Sequence, residues 1–156
     1  MANTYTQLYI QIVFAVKGRE NLIAKKYKEE LHKYITGVVQ KRNNKLLAIH
    51  VMPDHAHIFI GLHPTQSISD LARDIKSASS IFINEKGWVR GQFNWQVGFG
   101  AFSYSRSQID SVVKYIDNQE EHHEKRTFRE EYIDFLKKFE IEYDERYLFE
   151  FYENVP

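Results

Sequence analysis

Cysteine is absent from this chain, so disulfides and thiolate metal sites are excluded. Proline and glycine are sparse, at three and seven of 156 residues. No Pro/Gly-rich linker, low-complexity tract or internal repeat divides the sequence. No apolar run approaches the ~20 residues of a membrane-spanning helix. The opening Met1–Thr6 lacks the basic and apolar regions of a signal peptide. The expectation is a soluble cytoplasmic protein with no membrane partner. An excess of charge of one sign is also missing, with 21 Lys+Arg against 21 Asp+Glu. That balance is uneven along the chain. Residues 1–100 carry 13 basic and 7 acidic side chains, a difference of +6; residues 101–156 carry 8 and 14, a difference of −6. The basic stretch can steer a polyanion although the total is zero.

What is present is apolar and aromatic. Apolar residues make up 43% and aromatics 15%, enough to bury a core in a chain of this length. One domain over 1–156 is expected, with a core of about 4–126 and a C-terminal helix and acidic aromatic tail over about 127–156. Leu8–Val16 is β-branched and aromatic and reads as a buried strand. From about Leu22 to Arg42, apolar residues recur at three- and four-residue spacings, the period of a helix. Lys45–Val51 and His55–Leu62 read as strands joined at a tight Pro53-Asp54 turn. Ser67 with Asp70 opens a second helix through about Asn84. Gly87–Gly100 reads as a loop leading to a short strand near Phe99–Tyr104. Ser107 with Asp110 starts a helix carrying Ile109, Val112, Val113 and Ile116, and Thr127–Phe139 is helical again. The order βαββαβ followed by helices predicts a ferredoxin-like α+β fold, an antiparallel sheet with two helices on one face. The third helix, the one starting near Ser107, is then available to lie on the other face.

The chemistry concentrates at Met52-Pro53-Asp54-His55-Ala56-His57-Ile58. Strand side chains alternate faces, so His55 and His57 project together. Two imidazoles so placed can share a divalent cation. On the third helix, Tyr115 and Gln119 are four residues apart and share a face at the rim of its apolar stripe. If that helix crosses the open sheet face, both reach the histidines. The Gln119 carbonyl oxygen is then a third ligand suited to Mg²⁺ or Mn²⁺, and the Tyr115 hydroxyl a nucleophile beside it.

Pro53-Asp54-His55-Ala56-His57 on a strand and Tyr115-Ile116-Asp117-Asn118-Gln119 on a downstream helix resemble the single-tyrosine HUH transposases, of the insertion-sequence two-hundred and six-hundred-five group. HUH denotes His–hydrophobic–His. The opening strand Tyr5–Phe14 and the Ser103–Ser107 entry to the tyrosine helix are also similar, and the resemblance runs from about Thr4 to Phe149. Ala56 departs from the family's bulkier middle residue but stays apolar. The resemblance implies that Tyr115 attacks single-stranded DNA, leaving a 5′-phosphotyrosine and a free 3′-hydroxyl that can later rejoin strands. It implies a divalent metal, Mg²⁺ or Mn²⁺, on His55, His57 and Gln119, with no small-molecule cofactor. It further implies a homodimer and single-stranded DNA partners with hairpins at element ends.

Three other functions remain open to the residues alone. A domesticated repeat-hairpin nickase would share every active-site residue. A non-catalytic single-stranded nucleic-acid-binding module would leave the Tyr–Gln spacing without a purpose. A metal hydrolase acting through water would form no tyrosyl intermediate. For phosphate contacts, the candidates are Lys17, Arg19, Lys25, Lys26, Arg73 and Lys76. His50 reads as packing or surface rather than as part of the site, His63 as exposed, and His122-His123 as a solvated helix surface, with contact to DNA or the metal as the alternative. Trp88 and Trp95 suit packing or base stacking. Gly98 and Gly100 suit a bend near the active-site strand. The tail aromatics Tyr143, Tyr147, Phe149, Phe151 and Tyr152 are expected to dock on the body or a partner subunit.

Overall fold

The structure is a computed structural model and describes residues 3–156; Met1 and Ala2, part of the N-terminal stretch read above, lie outside the described residues. Four strands form one sheet: β1 (Tyr9–Ala15), β2 (Lys45–Val51), β3 (His55–Gly61) and β4 (Gly100–Tyr104). Their order is β2-β3-β1-β4, and every neighbouring pair is antiparallel. The β2–β3 turn closes through Met52 N–H donating to the His55 carbonyl at 2.8 Å. This is the expected α+β architecture.

The register assigns the two faces. Val13 pairs with His57, Ala15 with His55, Gln11 with Phe59 and Phe102, and His50 with His57. Directly opposed residues share a face, so one face carries both histidines with Gln11, Phe59 and Phe102. The opposite face carries Ile10, Ile12, Phe14, Ile58 and Ile60. It is covered by α1 (Lys28–Lys41), through Leu31, Ile35 and Val39, and by α2 (Ile68–Lys86), through Leu71, Ile75 and Ile83. Ala56 points to that side directly across from Phe14, which explains why a methyl suffices there.

The histidine face is covered by C-terminal elements. α3 (Ile109–Asp117) places Val112 and Ile116 on Ala48 and Phe59. α4 (Gln119–His123) follows at once, and α5 (Phe128–Lys138) lays Phe135 against Phe102, ring centroids 5.0 Å apart. Gly100 is required beneath α5, because a Cβ there would stand 2.6 Å from the Tyr132 hydroxyl. The tail docks on the body. Phe149 and Phe151 pack on Phe128 and Tyr132, the Tyr152 hydroxyl accepts from Gly18 N–H, and Gln96 exchanges two hydrogen bonds with the Glu150 backbone. Tyr147 alone of the aromatics named in the tail is mostly exposed, at 81%.

Four local expectations change. The first helix begins at Lys28 rather than Leu22, after 3-10 turns at Arg19–Asn21 and Lys25–Tyr27. Tertiary tethers hold this segment away from helical geometry: Ile23 N–H donates to the Pro53 carbonyl, and Asn21 Nδ2 to the Gln92 carbonyl. α2 runs two residues past Asn84, to Lys86, and stops at Gly87, whose φ of 65° is the left-handed cap glycine favours. The capping box falls on Ser105 and Gln108, not on Ser107 and Asp110, because a 3-10 turn at Arg106–Gln108 precedes α3. Finally, the tyrosine helix is not continuous through Gln119; it breaks at Asn118 (φ −97°, ψ 21°), so Tyr115 and Gln119 sit on successive short helices.

Trp95 is buried edge-on against Phe14 and Phe93 with its indole N–H on Ser79, and Trp88 stacks on Tyr27 at 4.4 Å. Both indoles serve packing. His50 is buried, as packing predicts; His63 is half-buried beside Thr65.

Candidate active site

β3 projects His55 and His57 from one face, as the two-residue spacing dictates, and neither has exposed surface. Their rings lie 5.0 Å apart. Gln119, fully buried at the start of α4, brings its Oε1 to 3.3 Å from His55 Nε2. Two further side chains join them. His123 places Nε2 3.0 Å from Gln119 Oε1, and Glu131 on α5 places Oε1 3.1 Å from His57 Nε2 and 3.2 Å from His123 Nε2. Donor atoms of His55, His57, His123 and Glu131 all lie within 4.8 Å of one another. The Tyr115 hydroxyl donates to Glu131 Oε2 in a very short contact, and Gln119 Nε2 donates to the same oxygen at 2.9 Å.

The outward nitrogen of each imidazole is fixed. His55 Nδ1 faces Asp54 Oδ1 at 2.6 Å, His57 Nδ1 faces Gln11 Oε1 at 2.7 Å, and His123 Nδ1 faces the Arg126 carbonyl at 3.0 Å. All three partners are acceptors, so each Nδ1 carries a proton, and a ring without a second proton turns an Nε2 lone pair inward. With all three rings neutral, three lone pairs, a carboxylate oxygen and an amide oxygen converge with few hydrogens to share among them. A divalent cation fits that donor set, and acceptor carbonyls or carboxylates holding the far imidazole nitrogens are its usual support.

The electrostatics agree with mutual support between these groups. Burial works against a charged His55, but the Asp54 carboxylate outweighs it and raises the pKa. For His57 burial prevails over Glu131 and lowers it. Burial also opposes the Glu131 carboxylate, yet the surrounding histidines hold its pKa well below the ordinary range. Burial, and then the facing Glu131 charge, push Tyr115 above its usual value, while Arg126 acts in the opposite direction.

His55, His57, Tyr115 and Gln119 are thus brought together as expected. His123 and Glu131 are additions, and His123 corrects the reading of His122-His123 as a solvated surface. The break at Asn118 turns His123 inward, while His122 stacks on the Tyr115 ring at 4.5 Å. Glu131 carried a signal: it lies among Phe128, Tyr132 and Phe135, on the face of α5 that the helical period assigns to the core.

The candidate phosphate contacts scatter. Lys17, Lys25 and Lys26 are exposed, and Lys25 lines a cavity of about 420 Å³ together with Asp54 and His123. Arg19 is tied to the Glu153 and Asn154 carbonyls, and Arg73 to Asp70 and Asp74. Lys76 donates to the Gln96 and Gly98 carbonyls, and its burial lowers its pKa to about 8. On the other side of the site, a cavity of about 540 Å³ between α3 and α5 opens onto Tyr115.

The sheet bears paired histidines with a tyrosine on a helix laid across it, and comparison with known proteins assigns the chain to a class of DNA-processing enzymes. Residues 4–119 match the family described as "Transposase IS200 like", and the chain belongs to that family. It is 25% identical over 120 residues to the ISDra2 transposase TnpA of Deinococcus radiodurans, a match covering 72% of this chain and 84% of that protein. Two solved structures share the fold. The crystal structure of a protein from D. radiodurans R1, assigned as a transposase, has a TM-score of 0.58 at 22% identity, covering 75% of this chain and 94% of that one. A REP-associated tyrosine transposase bound to a REP hairpin also has a TM-score of 0.58, at 20% identity, covering 78% and 72%. Among the described residues, no helix is long and apolar enough to cross a membrane.

Proposed function

We propose that this transposase cleaves and rejoins single-stranded DNA through a covalent bond to Tyr115. The observation that carries the reading is that Glu131 links the Tyr115 hydroxyl to His55, His57 and Gln119 of the same chain. Tyr115 Oη, oriented by its hydrogen bond to Glu131 Oε2, would attack the scissile phosphorus and release its proton to water. The new Oη–P bond replaces the P–O3′ bond. The 3′-oxygen leaves, takes a proton from water and becomes the free hydroxyl, while the phosphate stays on the 5′ side as a phosphotyrosine. Reversal by a 3′-hydroxyl rejoins DNA without an external energy source.

His55, His57, His123, Glu131 and Gln119 Oε1 would hold the divalent ion. When bound, that ion would neutralise the Glu131 charge facing the nucleophile and polarise a phosphoryl oxygen. A set of three imidazoles with carboxylate and amide oxygens favours Mn²⁺ over Mg²⁺, because imidazole prefers the softer ion. Asp54 and Gln11 keep the histidine tautomers. Lys17, Lys25 and Lys26 would contact backbone phosphates. A hairpin partner is supported by the REP hairpin in the structurally similar transposase.

Covalent capture tests the reading. The protein is incubated with labelled single-stranded hairpin DNA from its own gene's flanks, with Mn²⁺, Mg²⁺ or chelator, and resolved on a denaturing gel. A protein–DNA band is expected with metal, none with chelator, and none for Tyr115→Phe. A band that persists in Tyr115→Phe removes the nucleophile; tight binding without any band moves the assignment to a binding module.

A further inference from the structure

Resting on the reading of Tyr115 as nucleophile, we propose that Arg126 is a second catalytic residue, which grips the phosphate under attack. Arg126 lies in the short connection between α4 and α5, beyond the 4–119 segment that the family match spans. Its Nη2 reaches the Tyr115 hydroxyl at 3.4 Å, so it touches the reacting atom. Its position is fixed from both sides. The Arg126 carbonyl accepts from His123 Nδ1, and the next residue, Thr127, forms the capping box of α5 with Glu130.

The guanidinium stands where a phosphate must come. Of the residues lining the 540 Å³ cavity at Tyr115 and the 420 Å³ cavity beside Asp54 and His123, Arg126 is the one common to both. Its side chain is 35% exposed, in contrast to the sealed histidines. Asp134 takes Nη1 at 2.6 Å and Tyr115 takes Nη2. Nε and the remaining N–H groups have no protein acceptor among the described residues, and a guanidinium fork matches two phosphate oxygens. The need is also local. Glu131 presents a negative charge to the same hydroxyl, and an incoming phosphodiester adds another. As the Oη–P bond forms and the P–O3′ bond breaks, charge builds on the non-bridging oxygens, where a positioned cation acts most strongly.

The rival role is a strut in which Arg126 merely braces α5 through Asp134. The capture assay with Mn²⁺, run as initial rates, separates the two on parent, Arg126→Gln, Arg126→Lys, Asp134→Asn and Tyr115→Phe proteins, with hairpin affinity and melting temperature measured alongside. Arg126→Gln is expected to slow adduct formation about 10²- to 10³-fold while hairpin affinity stays within about threefold of the parent. Arg126→Lys, which keeps the charge without the fork, should recover part of that loss. Asp134→Asn should equal or exceed the parent rate, since it releases the guanidinium. Parent-like adduct rates in Arg126→Gln overturn the proposal, as does an equal loss in Asp134→Asn. Should Arg126→Gln fail to fold, a parent-like rate in Arg126→Lys would overturn it. A parent that forms no Tyr115-dependent adduct fails the nucleophile reading itself, and Arg126 falls with it; a normal parent beside an indifferent Arg126→Gln removes Arg126 alone.

Discussion

Residues 4–119 and residues 120–156 meet at the histidine pair, and they contribute in different ways. The first stretch, which the family match spans, supplies His55, His57, Tyr115 and Gln119 from a sheet and the helices laid on it. The second supplies His123, Arg126 and Glu131 from two short helices and the loop between them. Sheet register fixes the first set in space, since a one-residue slip would turn both histidines to the other face. Packing fixes the second set: Phe128 stacks on His55 at 3.9 Å, and Phe135 leans toward both His57 and Tyr115. A candidate site can therefore draw its tyrosine and histidine pair from one stretch while its charge balance and its shielding from water come from another. His55 and His57 are sealed from solvent, whereas Tyr115 keeps an open side on the larger cavity.

The strongest way to break this comparison is to remove the second stretch. Phe128, Tyr132, Leu136 and Phe149 each bury a large side chain against the rest of the molecule. At about 2 kcal/mol apiece their loss approaches 8 kcal/mol, comparable to the whole stability of a domain. A chain ending before Thr127 is expected to lose its cooperative unfolding transition in urea. A transition at the parent midpoint would show that the first stretch stands alone.

A smaller change compares the two contributions to the ion. Glu131→Gln removes a carboxylate donor given by α5, and Asp54→Asn removes the carboxylate that orients His55. Each is expected to weaken Mn²⁺ binding by about 10- to 100-fold in calorimetric titration. If Glu131→Gln binds as tightly as the parent, the second stretch covers the site without joining it.

The smallest effect belongs to the first stretch alone. His32 on α1 accepts the Val51 N–H at Nε2, which requires a neutral ring. Burial, with His50 nearby, lowers its pKa from 6.5 to about 4. Between those values the unfolded chain binds the proton and the native protein does not. Its contribution is therefore complete above pH 6.5 and lost as pH falls toward 4. His50 and His57 are shifted the same way and His55 the opposite way, so the informative quantity is the difference between parent and His32→Gln. Unfolding at pH 7 and pH 5 should show the parent losing on the order of 1–2 kcal/mol more than the variant, allowing for partial exposure. Equal losses would place the acid sensitivity elsewhere.

The two stretches also differ in how far they can be read without the fold. Period-two alternation in His55–Gly61 and the four-residue spacing of Tyr115 and Gln119 are local quantities; they paired side chains on one element each, while the meeting of the two pairs depended on the helix crossing the open sheet face. The helix break at Asn118 was not legible, because nothing in Tyr115–His123 forbids a continuous helix. With it went the placement of His123, which a straight helix leaves on the rim. Glu131 was not read from the sequence, although its position among Phe128, Tyr132 and Phe135 pointed toward the core and not toward any particular neighbour. The basic residues were the least legible, since a lysine reads the same whether it is exposed, as Lys17 is, or held by two carbonyls, as Lys76 is.

By itself the sequence determined the order of elements, the shared face of the histidine pair and the four-residue spacing of Tyr115 and Gln119. Those follow from the 2.0 and 3.6 periods, which act over a few residues. Only the tertiary structure decided that His123, Arg126 and Glu131 complete the site. They lie 66 to 76 positions from His55 and His57, and nothing local links positions that far apart. What joins them is the docking of α5 and the tail on the open sheet face, driven by aromatic area that no short-range pattern can aim at a particular target.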